Sequence, residues 1–132
     1  LNLIADTNLL VRMIVGDDQH QAEAALHLLE RAQIVILPTA ALCELCWVLG
    51  RTYKLTAAQL EAAIRDLVFA ANAVVDDRAV GAGLVVLANG GDFADGAIAA
   101  SGLGQGGEQF VTFDRQAAKL VADAGIPTRL LD

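Results

Sequence analysis

Four acidic residues stand where an otherwise apolar sequence has little reason to place them: Asp6, Glu44, Asp95 and Asp114. Asp6 closes the run Leu1-Asn-Leu-Ile-Ala, which predicts a strand carrying a carboxylate to its own carboxyl end. Open parallel sheets bind their ligands at that edge. Glu44 interrupts Ala40-Ala-Leu-Cys-Glu-Leu-Cys-Trp-Val-Leu, a segment apolar on nearly every side, which predicts a helix buried all round. A lone carboxylate there is costly unless paired or bound to a cation; Arg51, seven residues on, offers a structural partner as the alternative to a metal. Asp95 falls in the first turn of a helix that Asp92 can open, so the two acids share one face at a helix start. Asp114 sits where a last strand hands over to a helix. For Asp92, Asp95 and Asp114 plain capping stays open beside a site role. Clustered oxygen ligands without His or thiolate suit Mg²⁺ or Mn²⁺ rather than zinc. Such an ion makes a usable nucleophile of water and clamps the oxygens of a phosphodiester for in-line attack.

The elements that must position these acids alternate along the chain. Thr7 and Asn8 can both cap a helix from Leu9 to Val15, which Gly16 ends. Asp17 and Asp18 open a second helix, with Asp18 and Gln21 in capping-box spacing. Ala22, Ala25, Leu26 and Leu29 follow the helical period, and His20 and His27 fall near the exposed side. Ile34 to Leu37 predicts a second strand, and Thr39 can cap the Glu44 helix. Thr56-Ala-Ala-Gln59 is a capping box opening a helix to Ala71 with an internal Glu61–Arg65 pair. A short strand at Ala73 to Val75 and a helix over Asp77 to Ala88, weakened by Gly81 and Gly83, come next. Gly102 to Gly107 has the glycines of a dinucleotide loop but follows a helix and precedes a strand, the reverse of the required context, and so predicts a flexible loop. Gln109 to Thr112, Arg115 to Ala124 and Thr128 to Leu131 complete the series as strand, helix and strand. The alternation predicts an α/β fold, a three-layer α/β/α sandwich around a central, mainly parallel sheet, with residues 1–132 as a single domain.

Composition narrows the field further. Hydrophobic residues make up 55% of the 132 and charged residues 19%, which excludes disorder. With aromatics at 5%, the core must be aliphatic. No apolar stretch reaches bilayer length and the first eight residues lack the basic start of a signal peptide, so a cytoplasmic protein is expected. The leading Leu1 suggests processing or a missing start. A net charge of −7 argues against a nucleic-acid binder, which usually shows a basic footprint. That objection shrinks if four acids converge on a metal, since nine basic residues then face twelve acids instead of sixteen. Cys43 and Cys46 lie mid-helix, where redox and zinc motifs do not belong, and read as small apolar residues one turn apart. There is neither a Ser-His-Asp arrangement nor a Gly-x-x-x-x-Gly-Lys phosphate loop, so an ATPase is not expected.

Taken together, Asp6-Thr-Asn8 after a first strand, Glu44 in an early helix, Asp95 followed by Gly-Ala-Ile-Ala-Ala, and Thr112-Phe-Asp114 resemble the four motifs of the PIN-domain nucleases. The resemblance runs through essentially the whole chain and is nearest to the small bacterial toxins of the VapC type. It implies a Mg²⁺- or Mn²⁺-dependent endoribonuclease with Asp6, Glu44, Asp95 and Asp114 as metal ligands and catalytic acids. Asn8 and Thr112 would support ligands or waters, and Asp92 would bind a second ion or cap. It also implies a homodimer and a cognate VapB-like antitoxin that blocks the site. RNA would be held by basic residues such as Arg12, Arg51, Lys54, Arg115 and Lys119. Two other readings remain. An aspartyl-phosphate phosphatase or receiver domain also places Asp after strand one, but wants a lysine after a late strand, where Arg115 stands. A PIN fold reduced to a protein-binding module is expected to have lost one or more of the four acids, and all four are present.

Overall fold

The computed structural model describes residues 1–132, which resolve into two compact units, Leu1–Val75 and Asp76–Asp132. In the first, β1 (Asn2–Ile4), β2 (Ile34–Ile36) and β3 (Ala73–Val74) pair in parallel in the order β1-β2-β3. Parallel neighbours need a crossover, and helices supply both. α1 (Thr7–Val15) and α2 (Gln19–Arg31) join β1 to β2, and α3 (Thr39–Arg51) and α4 (Ala57–Val68) join β2 to β3. The second unit runs α5 (Asp77–Ala88), α6 (Phe93–Gly104), β4 (Phe110–Thr112), α7 (Arg115–Asp123) and β5 (Thr128–Leu130), with β4 and β5 parallel. Alternating helices and wholly parallel pairing are those of the expected α/β sandwich.

Local chemistry fixes the element boundaries. Thr56 and Gln59 form the full reciprocal capping box of α4, and Glu61 accepts from Arg65 at 3.1 Å within that helix. Asp18 and Asp76 cap α2 and α5 through their side chains. Asn72, just before β3, donates to the backbone carbonyls of both Leu29 and Ala32 at 2.9 and 3.0 Å, tying the end of α2 to the sheet. In the second unit α5 and α6 pack closely because two glycines remove the obstacles. A Cβ on Gly83 would meet the buried Phe93 ring at 2.6 Å, and one on Gly96 would strike the Ala82 carbonyl. Val86, Ala99, Ala100, Leu120, Val121 and Ile126 form the aliphatic core beneath them.

Several boundaries differ from the sequence expectation. α1 begins at Thr7 with Asp6 in the N-cap position, so neither Thr7 nor Asn8 caps it. Pro38 rather than Thr39 precedes α3, because a proline's fixed φ already suits a helix entrance. α4 stops at Val68, three residues short of Ala71. α6 continues through Gly104, so the first half of the glycine-rich segment is helical and only its end is loop.

The largest correction concerns α3. Leu42, Leu45, Cys46 and Leu49 are buried, whereas Ala40, Glu44, Trp47 and Arg51 form a solvent-exposed stripe. The helix is therefore amphipathic, not buried all round. Apolar residues on its outer side, Ala40 and Trp47, disguise the polar face in the sequence. The burial argument for Glu44 falls with it. Cys43 and Cys46 form no disulfide, and burial pushes the Cys43 thiol upward, away from the reactive thiolate, which agrees with a packing role.

Candidate active site

In the first unit, the end of β1 and the first turns of α1 and α3 frame a concavity of about 350 Å³ lined by Asp6, Thr7, Pro38, Ala40, Ala41 and Glu44, among others. Asp6 holds extended backbone geometry at the N-cap of α1 (φ −82°, ψ 153°), and its carbonyl accepts from the Leu10 N–H at 3.3 Å. Its side chain accepts no capping bond and makes no ion pair. An N-cap aspartate usually spends its carboxylate on the helix; this one faces outward unspent. Glu44 is exposed and unpaired as well, because the Arg51 guanidinium lies 5.6 Å from the Trp47 ring centroid and makes no salt bridge to it. The small side chains of Ala40 and Ala41 leave the space open.

Thr7 is the buried polar residue of the chain, and it lines this concavity. In the sequence its place after Asp6 marks it only as a candidate helix cap. Asn8 lines a different concavity, with Leu9, Arg12, Gln21, Ala24, Ala25 and Leu28.

The second unit gathers three acids. Asp92 occupies the N-cap of α6, its backbone carbonyl accepting from the Asp95 N–H at 3.1 Å, while its side chain makes no capping bond. Asp95 lies half-buried in the first turn. Burial pushes its carboxyl above the ordinary carboxylate value, and the charges of Asp92 and Asp114 push the same way. Asp114 caps α7, one oxygen accepting from the Ala117 N–H at 2.9 Å. The Thr112 hydroxyl accepts from the Asp114 N–H at 3.0 Å and so shapes the turn that presents it. Capping is thus real for Asp114, whereas Asp92 holds the cap position without the side-chain bond.

The structure brings Asp6 with Glu44, and Asp95 with Asp92 and Asp114. No three Asp, Glu, His or Cys side chains stand close enough to form a ready-made ion cage. Mg²⁺ does not need one, since it usually keeps several waters and takes one or two carboxylates directly. The donors fit such an ion: every candidate is a hard carboxylate, Asp6, Glu44 and Asp92 are uncommitted, and Asp95 is under like-charge pressure that a cation would relieve.

No curated protein and no solved structure matches the chain. The sequence model of the PIN domain matches residues 3–122, spanning all four acids. PIN domains are generally nucleases, hydrolases that work with divalent metals. The chain belongs to the PIN-domain family.

Proposed function

We propose that this chain is a Mg²⁺- or Mn²⁺-dependent endoribonuclease of the VapC toxin type, with Asp6, Glu44, Asp95 and Asp114 as the acids that hold the ion. The observation that carries the reading is the PIN-domain match over residues 3–122, which takes in all four acids, and the crowding at α6, where burial and two neighbouring carboxylates raise the Asp95 carboxyl, agrees with it. Repulsive arrangements of this kind oppose folding and gather at sites where a cation or a reaction uses them. Bound to these carboxylates, a divalent ion would supply Lewis acidity toward the phosphodiester and would make water a usable nucleophile at neutral pH. Asp6, Asp95 and Asp114 stand at helix starts and Glu44 on the outer face of α3, and the Thr112 and Ala117 hydrogen bonds limit the freedom of Asp114. Asp92 stands ready as a further acid beside Asp95.

RNA contact falls to cations that no internal carboxylate neutralises. Arg12 is paired with Asp17 and Lys119 with Asp123, whereas Arg51, Lys54 and Arg115 have no ion pair. A homodimer and a basic VapB-like antitoxin segment complete the proposal, the latter suited to a chain of net charge −7.

Incubation of a structured RNA pool with wild-type protein and Asp6→Asn, in Mg²⁺, Mn²⁺ or EDTA, tests it. Cleavage that needs metal and vanishes in the variant is expected. Cleavage equal in both proteins would remove Asp6 from the site. Phosphate release from small phosphoesters without RNA cleavage would favour aspartyl-phosphate chemistry instead.

A further inference from the structure

Trp47 is the single tryptophan of the chain, and 61% of it is exposed to water. Nothing in the packing of α3 requires this, since the helix buries its opposite face through Leu42, Leu45, Cys46 and Leu49. Trp47 belongs to the outer stripe with Ala40, Glu44 and Arg51, whose spacing of four, three and four residues follows one helix face. One turn separates the ring from Glu44, about 5–6 Å between Cβ atoms for such a pair. Arg51 lies against the ring, 5.6 Å from its centroid, and carries no counter-carboxylate.

We infer that Trp47 and Arg51 form a stacking platform for an unpaired base of the RNA substrate, an assignment that rests on the nuclease reading and deepens it. An aromatic face beside an unneutralised guanidinium is how proteins hold single-stranded nucleic acid. The ring takes the base, whatever its identity, and the cation takes the adjacent phosphate. With Arg51 in place the ring still exposes most of its surface, so room for a base remains. Glu44 on the same stripe ties the stacked nucleotide to the strand segment whose phosphate reaches the acids. A protein partner suits the stripe less well, because Trp47 is flanked there by one carboxylate, one guanidinium and an alanine rather than by an apolar seam.

The fold contains its own control. Arg65 of α4 lies 5.9 Å from the exposed ring of Phe69, the C-cap of that helix, but its guanidinium is held by Glu61 at 3.1 Å. That pair is aromatic and cationic in form, yet its charge is already neutralised.

Because Trp47 is the only indole, its fluorescence reports the platform alone. The test titrates the Asp6→Asn protein with mixed-sequence single-stranded RNA, reading tryptophan emission and the anisotropy of labelled RNA. RNA binding should quench Trp47. Trp47→Ala, made in the same background, should weaken binding roughly tenfold, as loss of one base-stacking ring does. Trp47→Phe should recover most of that loss, and Phe69→Ala should bind unchanged. In the active enzyme Trp47→Ala should raise KM more than it lowers kcat. Binding without quenching, or Trp47→Ala cleaving with unchanged KM, would overturn the platform while leaving the nuclease intact. Conversion of a dimer to a monomer by Trp47→Ala at unchanged RNA affinity would overturn it too, giving the ring to a second copy. No binding or cleavage by any form, wild type included, would overturn the nuclease reading and the platform with it.

Discussion

Asp95 carries its charge at a disadvantage. Burial, then Asp92 and Asp114, raise its carboxyl above the ordinary value, so the folded chain holds that proton more tightly than the unfolded chain does. The stabilising contribution is complete below the unfolded value and is lost as pH rises through the folded one. At neutral pH the ionised group therefore opposes folding. In EDTA, Asp95→Asn should melt at a higher temperature than wild type at pH 7, and the gap should close below about pH 4. A gap that widens in acid would contradict the direction of the shift. The positions of Asp6, Asp92 and Asp114 were legible as strand or loop ends running into helices. The use of each carboxylate was not. Asp18, Asp76 and Asp114 accept capping bonds, whereas Asp6 and Asp92 in the same position do not. One side-chain torsion separates the two outcomes, and residue order does not encode it. The apolar neighbours of Glu44 predict a burial it does not have, and its exposure is what leaves it accessible to a ligand.

At the scale of elements, helical periodicity and capping residues located every helix, and misplaced ends mostly by one to three residues. α3 failed in its faces rather than its extent, because exposed Trp47 and Ala40 mimic core residues in any apolar pattern. The glycines of α5 were likewise ambiguous. Both weaken a helix by composition, but only Gly83 faces Phe93, whereas a Cβ on Gly81 meets nothing within 4 Å. Gly81→Ala should therefore stabilise the protein by about 0.5–1 kcal/mol, the ordinary helix preference for alanine. Gly83→Ala in the same helix should destabilise it by about 1–3 kcal/mol, because Phe93 must leave its rotamer or push α6 away. Urea denaturation of the two variants beside wild type checks both signs. Equal effects would mean that α5 and α6 pack less closely than described.

For the whole molecule, charge sets how RNA would be held under the proposed function. Sixteen acids against nine bases repel a polyanion at long range, so under the proposed function RNA affinity would have to come from local cations, stacking and a bound metal. With Arg51, Lys54 and Arg115 as the cations that would contact RNA, the logarithm of RNA affinity should fall against the logarithm of salt with a slope of about −2. Titrations between 50 and 200 mM KCl measure it; a slope much steeper would contradict this set and bring in Arg31, Arg78 or Arg129, which also carry no ion pair. No helix is long and apolar enough to cross a membrane.

The central proposal is that Asp6, Glu44, Asp95 and Asp114 are all needed to hold a divalent ion, and calorimetric titration with Mn²⁺ tests it most directly. Wild-type protein should bind Mn²⁺. Asp6→Asn, Glu44→Gln, Asp95→Asn and Asp114→Asn should each weaken that binding strongly, and Asp6→Asn combined with Asp95→Asn should be little worse than the weaker single variant. Asp76→Asn, which alters a capping acid outside the set, should bind as wild type does. Full affinity in Asp6→Asn and Glu44→Gln, with loss confined to Asp95→Asn and Asp114→Asn, would contradict the claim and reduce the metal site to the acids around α6.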